Sequence, residues 1–313
     1  MQDGYRIGID IGGTKINIGI LTEQGTLIDQ CSLSSKGYEN AESLVTAVCD
    51  SAENLLAKSS LSISDMHHIG IGIPGTADSK HGIVKYSPNL FGTNVPLADL
   101  FEARWPMRAT IVQDSWAAAW AEYCFGQNKQ WPNMLCMTIG TGIGCGIIMS
   151  GKVYGGAMHT AGEIGHTSVV PNGRLCGCGR RGCLEAYSSG TAILKQALER
   201  FPEKLNDRPQ RTESVFDLAY EGDAEALSLL SECVDKLAYG LASMMNILSI
   251  GVVTISGGVC IHEKLIIEPL ADKIRSYGYP AWAEQHRPIV LKAHLGSLAP
   301  LIGAAFLTTD SII

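Results

Sequence analysis

IGIDIGGTKINIGI at residues 7–20 and CMTIGTGIGCGIIM at residues 136–149 share one plan. Each is an apolar strand, a turn of small residues containing Gly and Thr, then a second apolar strand. One supersecondary unit recurs at two places, which is not the short period of a solenoid. The recurrence predicts an α/β chain of two similar halves facing one another, each opening on a strand–turn–strand hairpin. After the first copy, TLIDQCSLS reads as a third strand and NAESLVTAVCDSAENLLAK as an amphipathic helix. The strand HHIGIGI follows, then an irregular Pro/Gly-rich loop from Pro74 to Pro96, a short helix at LADLFEAR and the strand ATIVQ. Asp114 begins the helix that runs through SWAAAWAEYCFG, as its N-cap, with Gly126 as its stop. After the second copy the chain turns mainly helical, over 190–200, 214–220 and 223–248, and returns to the strand VVTIS. The final helix, LAPLIGAAFLTTD, has small residues suited to close packing on a sheet. No low-complexity linker separates the halves. The expected division is therefore a hinge between packed domains, 1–113 with 300–313 against 114–299.

Composition narrows the function classes. The chain has 313 residues, 46% hydrophobic and 18% charged, as suits a well-buried globular protein. A net charge of −7 gives no electrostatic reason to approach nucleic acid or an anionic membrane. No run nears the roughly 18 apolar residues of a membrane span. The start, MQDGYRIGID, goes straight into a strand pattern without the regions of a signal peptide. Seven of the ten cysteines (Cys31, Cys49, Cys124, Cys136, Cys145, Cys233 and Cys260) are scattered and read as reduced core thiols. A cytoplasmic protein is expected.

The other three cysteines cluster in CGCGRRGC, residues 176–183. Cys176, Cys178 and Cys183 lack one ligand for a closed tetrahedral zinc site, and His166 of AGEIGH is the natural fourth. A redox centre would need C-x-x-C, and a two-histidine DNA finger a second histidine at longer spacing. A closed four-ligand site has no open position for chemistry, so this zinc would be structural. It would tie together two segments carrying carboxylates, at Glu163 and Glu185.

Three glycine turns are candidates for holding phosphate: Gly12-Gly13-Thr14, Gly140-Thr141-Gly142 and Ser256-Gly257-Gly258. Without a Cβ, backbone N–H groups can approach phosphate oxygens closely. Any one of them alone also reads as an ordinary hairpin turn. Neither standard nucleotide fingerprint is present, since Lys15 follows Thr14 and GTGIGCG runs into a strand rather than a helix. Asp10, just before the first turn, is either a turn-former or a place for Mg²⁺ beside phosphates.

Taken in order, DIGGTK (10–15), GIPG (72–75), PNL (88–90), QDSWAAA (113–119), TIGTGIGCG (138–146), AGEIGH, CGCGRRGCLEAYSSG (176–190) and SGG (256–258) carry a resemblance to the ROK family of sugar kinases and related regulators. It spans nearly the whole chain. The resemblance implies an actin-like ATPase fold of two ribonuclease-H-like α/β domains, with ATP·Mg²⁺ and sugar in the interdomain cleft, and a homodimer. It implies transfer of the γ-phosphoryl group to a hexose hydroxyl, the 6-hydroxyl being expected, with Asp114 as general base. Gly75, Asn89, Gln113, Glu163, His166 and Glu185 would hold sugar hydroxyls, His166 binding zinc through its other ring nitrogen. Asp10, Gly12, Gly13, Thr14, Lys15, Thr141 and Gly142 would serve the phosphate end of the nucleotide, and Gly257 and Gly258 the adenosine.

The family usually has Asn where Gln113 stands, and Ala-Asn where Ser115-Trp116 stands. The extra methylene of Gln113 shifts its amide by about one bond length, enough to change which hydroxyl is read. Glucose, N-acetylated hexosamines, fructose, allose and phosphoglycosides are the sugars the family handles. Two other readings compete with the kinase. A sugar-responsive regulator would carry a DNA-binding domain before the DxGGT strand, which here begins by residue 5. A non-catalytic sugar-binding protein would not need the retained Asp10, Thr14 and Asp114.

Overall fold

Alternating isoleucines build the first sheet. Ile7, Ile9 and Ile11 on β1 (Tyr5–Ile11) and Ile16, Ile18 and Ile20 on β2 (Lys15–Thr22) are all buried. The two strands pair antiparallel, with Ile9 opposite Ile18. The computed structural model describes residues 4–87, 92–126 and 128–313. β3 (Leu27–Ser34) adds to β2, and α1 (Ala41–Lys58) begins on Asn40, whose Oδ1 accepts from the Ser43 amide at 2.8 Å. β4 (Met66–Ile73) then returns parallel to β1.

The stretch expected to be irregular holds a small antiparallel sheet of β5 (Thr76–Asp78), β6 (Ile83–Tyr86) and β7 (Thr93–Val95). Strands of three or four residues are too short for alternation to show in sequence, but buried Ala77 and Val84 anchor them. α2 (Leu97–Arg104) leads to β8 (Ala109–Gln113), which pairs parallel with β4. The first sheet therefore runs β3-β2-β1-β4-β8. α3 (Asp114–Cys124) follows at once. Its N-cap is Gln113, not Asp114 as expected, because Gln113 still carries the extended backbone of β8. Asp114 is the first helical residue, and its Oδ1 accepts from the Ser115 amide at 2.7 Å. The helix closes at Phe125, one residue before Gly126.

The second hairpin is β9 (Met134–Ile139) and β10 (Ile143–Met149), followed by β11 (Lys152–Val153). Then come α4 (Glu185–Ser188), α5 (Gly190–Arg200), α6 (Thr212–Tyr220), α7 (Ala224–Leu248) and β12 (Val252–Ser256). α8 (Glu263–Tyr277), α9 (Pro280–Ala283), β13 (Ile289–Lys292) and α10 (Ala299–Phe306) complete the chain. β12 lies between β9 and β13, parallel to both. The sequence reading had no counterpart of α8. Pro269 interrupts its pattern, yet buried Ile266, Ile267, Leu270, Ala271 and Ile274 hold it as a helix.

Two compact units result. One comprises Met1–Pro132, Gly146–Ala161 and Leu298–Ile313, the other Asn133–Cys145 and Gly162–Ser297. Compared with the expected boundaries, α3 and residues 146–161 go with the first unit. The physical reason is α10, which packs on α3 at backbone distance. A Cβ on Gly303 would lie 1.7 Å from the Ala117 carbonyl oxygen, and one on Gly70 of β4 would lie 1.7 Å from that of Ala304. Buried Trp116 of α3 in turn donates through Nε1 to the Ala161 carbonyl at 2.9 Å.

His68 of β4 is locked into the same unit. Its Nδ1 lies 3.1 Å from the Ala305 carbonyl and its Nε2 2.9 Å from the Thr110 hydroxyl. A carbonyl only accepts, so Nδ1 carries the proton, and Nε2 accepts from Thr110 in the neutral ring. Burial is the main cause holding its pKa below the ordinary histidine value, aided by Arg6 and Arg108 and opposed by the Ala305 carbonyl. A depressed folded-state pKa means that the unfolded chain binds the proton better. The neutral ring therefore contributes stability above about pH 6.5, which is lost as the pH falls below it. Urea midpoints should fall between about pH 7 and about pH 5.5 by more in the wild type than in His68→Gln. Equal falls would show that His68 contributes nothing to the pH dependence.

Candidate active site

The cysteine motif folds as a tight knuckle over the segment that carries His166. The Cys176 amide donates to the Arg180 carbonyl at 2.8 Å, and the Leu184 amide to that of Thr167 at 2.9 Å. His166, Cys176, Cys178 and Cys183 are thereby brought together, with their ligand atoms all within 4.8 Å of one another. Cys178 Sγ and Cys183 Sγ are 3.7 Å apart, as are Cys176 Sγ and His166 Nδ1. Two thiolates bound at about 2.3 Å to one tetrahedral ion stand about 3.7 Å apart, so the four residues fit such an ion. It is Nδ1 of His166 that faces the sulfurs, leaving Nε2 on the far side of the ring.

Glu185, at the start of α4, joins this cluster to the second glycine turn. Its Oε1 lies 3.6 Å from Cys176 Sγ, and its Oε2 accepts from the Ile143 amide at 3.0 Å. A Cβ on Gly142 would come within 2.6 Å of the same Oε2. The other end of the turn is held by the Gly190 amide, which donates to the Gly140 carbonyl at 2.8 Å. Glu163 is exposed just ahead of the short turn Ile164–His166.

Both hairpin turns present unused donors. In the first, the Gly12 amide closes on the Lys15 carbonyl at 2.9 Å, and in the second the Gly140 amide closes on that of Gly142 at 3.0 Å. The amides of Gly13, Thr14, Thr141 and Gly142 bond to no other described residue. Asp10 stands beside the first turn, with Oδ2 accepting from Asn17 Nδ2 at 3.2 Å. Burial raises its pKa and the Asn17 bond opposes the rise. A cation at that carboxylate would relieve the cost of keeping it charged while desolvated.

A cavity of about 240 Å³ lies wholly within the second unit, lined by Gly140, Thr141, Gly190, Thr191, Thr212, Glu213, Phe216, Gly258, Val259 and His262. One end is the second glycine turn. An aromatic pair belongs to its wall, the His262 ring stacked on Phe216 at 3.7 Å and 6°. Gly257 has φ +93°, and a Cβ there would sit 2.3 Å from the Ile139 carbonyl oxygen, so only glycine lets the chain pass. Gly258 has no atom within 4 Å of where its Cβ would be. Gly140, Thr141 and Gly258 of this lining belong to the glycine turns of the sequence, whereas Gly190, Thr191, Thr212, Glu213, Phe216, Val259 and His262 were not expected there. They come from separate segments, and all but Gly190 lie outside the motifs.

In the first unit, Asp114 occupies the opening turn of α3, where the helix dipole favours a negative charge. Gln113 beside it is buried, and its Nε2 donates to the Gly75 carbonyl at 2.6 Å. Lys15 is exposed at the start of β2. Asn89 lies outside the described residues.

A profile of the ROK family matches residues 6–311. The chain belongs to the ROK family. It is 31% identical to a glucokinase of Thermotoga maritima, over 98% of both chains. It is also 32% identical to an N-acetylmannosamine kinase of Yersinia pestis, over 99% of this chain and all of the relative. A ROK family glucokinase of Streptomyces griseus, solved in complex with glucose and AMPPNP, superposes with a TM-score of 0.83 at 32% identity, covering 98% of this chain and 100% of its own. The fold is thus the actin-like ATPase α/β fold of the ROK sugar kinases, as the resemblance implied.

Glu185 sharpens what removal of a metal from this ROK chain should do. Chelation, or Cys178→Ser, is expected to speed amide exchange across 164–187 and also at the 140–143 turn, with α1 unchanged. Loosening confined to the cysteine loop would show that Glu185 transmits nothing.

Proposed function

We propose that the chain is an ATP-dependent hexose kinase, transferring the γ-phosphoryl group to a hexose hydroxyl, the 6-hydroxyl of glucose or an N-acetylhexosamine. The observation that carries this reading is the end-to-end match to a glucokinase and an N-acetylmannosamine kinase in a chain that retains Asp114. Asp114 would accept the hydroxyl proton as the sugar oxygen bonds to phosphorus and the bond to the leaving ADP breaks. A carboxylate needs no raised pKa for this when proton loss accompanies phosphoryl transfer. Gly75, Asn89, Glu163, Glu185 and the Nε2 side of His166 would engage sugar hydroxyls.

The free amides of both hairpin turns support a role for Gly12, Gly13, Thr14, Thr141 and Gly142 at the phosphates, with Lys15 adding charge. The cavity bordered by Gly258 and the Phe216–His262 pair would take the nucleoside. Asp10 would hold Mg²⁺, which offsets charge on the phosphates. Zinc in the cysteine knuckle would serve structure alone, since all four positions are protein ligands. We infer a cytoplasmic homodimer acting on small molecules, with no nucleic-acid partner. Among the described residues no helix is long and apolar enough to cross a membrane.

Asp114→Asn keeps the size of the side chain and removes its basicity. It should lower kcat about 10²- to 10⁴-fold while sugar binding by calorimetry stays near wild type. Undiminished turnover in the variant, or no ADP release by the wild type on any hexose of a panel, would sink the proposal. The nucleoside cavity has its own test. Gly258→Val meets no clash at Cβ and projects into open space, so it should leave the Tm unchanged and weaken ADP binding by about tenfold or more. ADP binding equal to wild type would place the nucleoside elsewhere.

A further inference from the structure

Gln113 ends β8, next to Asp114, and is 3% exposed. Its register partner on β4 is Ile73, yet its side chain reaches two residues further, to the carbonyl of Gly75 at 2.6 Å. Glutamine suits that span. An asparagine on the same Cα would end about 1.5 Å short, the length of one carbon–carbon bond.

What Gly75 touches gives the bond its consequence. Gly75 has φ +102°, and a Cβ there would lie 2.3 Å from the Tyr86 carbonyl oxygen and 2.9 Å from Ser87 Cα. The turn at Pro74-Gly75 is thus seated directly on the end of β6. Thr76, the next residue, pairs with Tyr86 across β5 and β6. One line of contact therefore leads from the residue beside Asp114, through Gly75, to the backbone of Tyr86 and Ser87. If the donor is lost, a carbonyl in a tightly packed turn loses its partner and the turn its tether.

We propose that Gln113 is a positioning residue. Its amide nitrogen latches the Pro74-Gly75 turn, and the small sheet behind it, at a fixed place relative to Asp114, and by that placement selects among hexoses. On this reading the amide nitrogen is spent on the protein's own backbone rather than on a sugar hydroxyl. The selectivity rests on the kinase reading above, whereas the latch itself does not.

Hydrogen exchange on the sugar-free protein tests the latch. Gln113→Asn should speed exchange over residues 74–87 about tenfold, the weight of one lost hydrogen bond, with α1 unchanged. Gln113→Met keeps the length and offers no donor in any protonation state, so it should do the same even if the shorter variant fails to fold. Steady-state kinetics with glucose and N-acetylmannosamine test the consequence. Both variants should raise the sugar KM about tenfold and change the ratio between the two sugars, with kcat and the KM for ATP within about twofold. Unchanged exchange over 74–87 would overturn the latch. Faster exchange with an unchanged sugar KM and ranking would overturn its role in selectivity. A wild type inactive on every hexose would overturn the kinase reading and the selectivity with it, while exchange would still decide the latch.

Discussion

One carboxylate, that of Glu185, is shared between two parts of the second unit, the farther of them 42 residues from it in sequence. Through Oε2 it holds the start of β10, and through Oε1 it stands beside Cys176. The metal-ligand cluster and the turn with free amides are therefore built around one side chain. An anion between a backbone donor and a thiolate-rich site is costly to keep unless a cation compensates the sulfurs. The donor set and the carboxylate thus ask for the same thing. A metal in the knuckle would fix Glu185, and Glu185 would fix the turn.

The first unit solves a different problem, which is to put a carboxylate at a strand-to-helix junction without letting it drift. β8 is fully buried, and α3 starts with no intervening loop. Gln113 and Asp114 divide the work there. Gln113 takes the cap position and bonds across to Gly75, while Asp114 enters the helix and accepts from the next amide. The backbone of Asp114 is consequently set by the sheet on one side and by the α3–α10 packing on the other. Its position is thus set by a buried strand and a packed helix rather than by a loop.

Much of this was legible in the sequence, and what escaped did so for identifiable reasons. The two hairpins announced themselves because strand, turn and strand recur with the same apolar alternation. The cysteine knuckle was legible because ligand chemistry fixes spacing. The small sheet of β5–β7 was hidden, since three residues cannot display a period of two. α8 was hidden by Pro269. Asp114 looked like a helix cap because aspartate favours that position, but the helix begins one residue earlier, directly on the end of β8, so the cap falls on Gln113. The cavity wall was least legible. Phe216 and His262 are joined only by tertiary structure, and the reach of Gln113 to Gly75 depends on the register between two strands.

The packing of α10 also has a consequence for how the protein is made. The first sheet is complete once Gln113 has been synthesised, but the helix that covers β1 and β4 spans Ala299–Phe306. The whole second unit is translated in between. At ordinary rates of synthesis the sheet face beneath α10 waits roughly ten to forty seconds for its cover. During that interval the face that carries Gly8, Gly19 and Gly70 stands without the helix that packs on it at backbone distance. Translation speed across the second unit is thus coupled to the fate of the first.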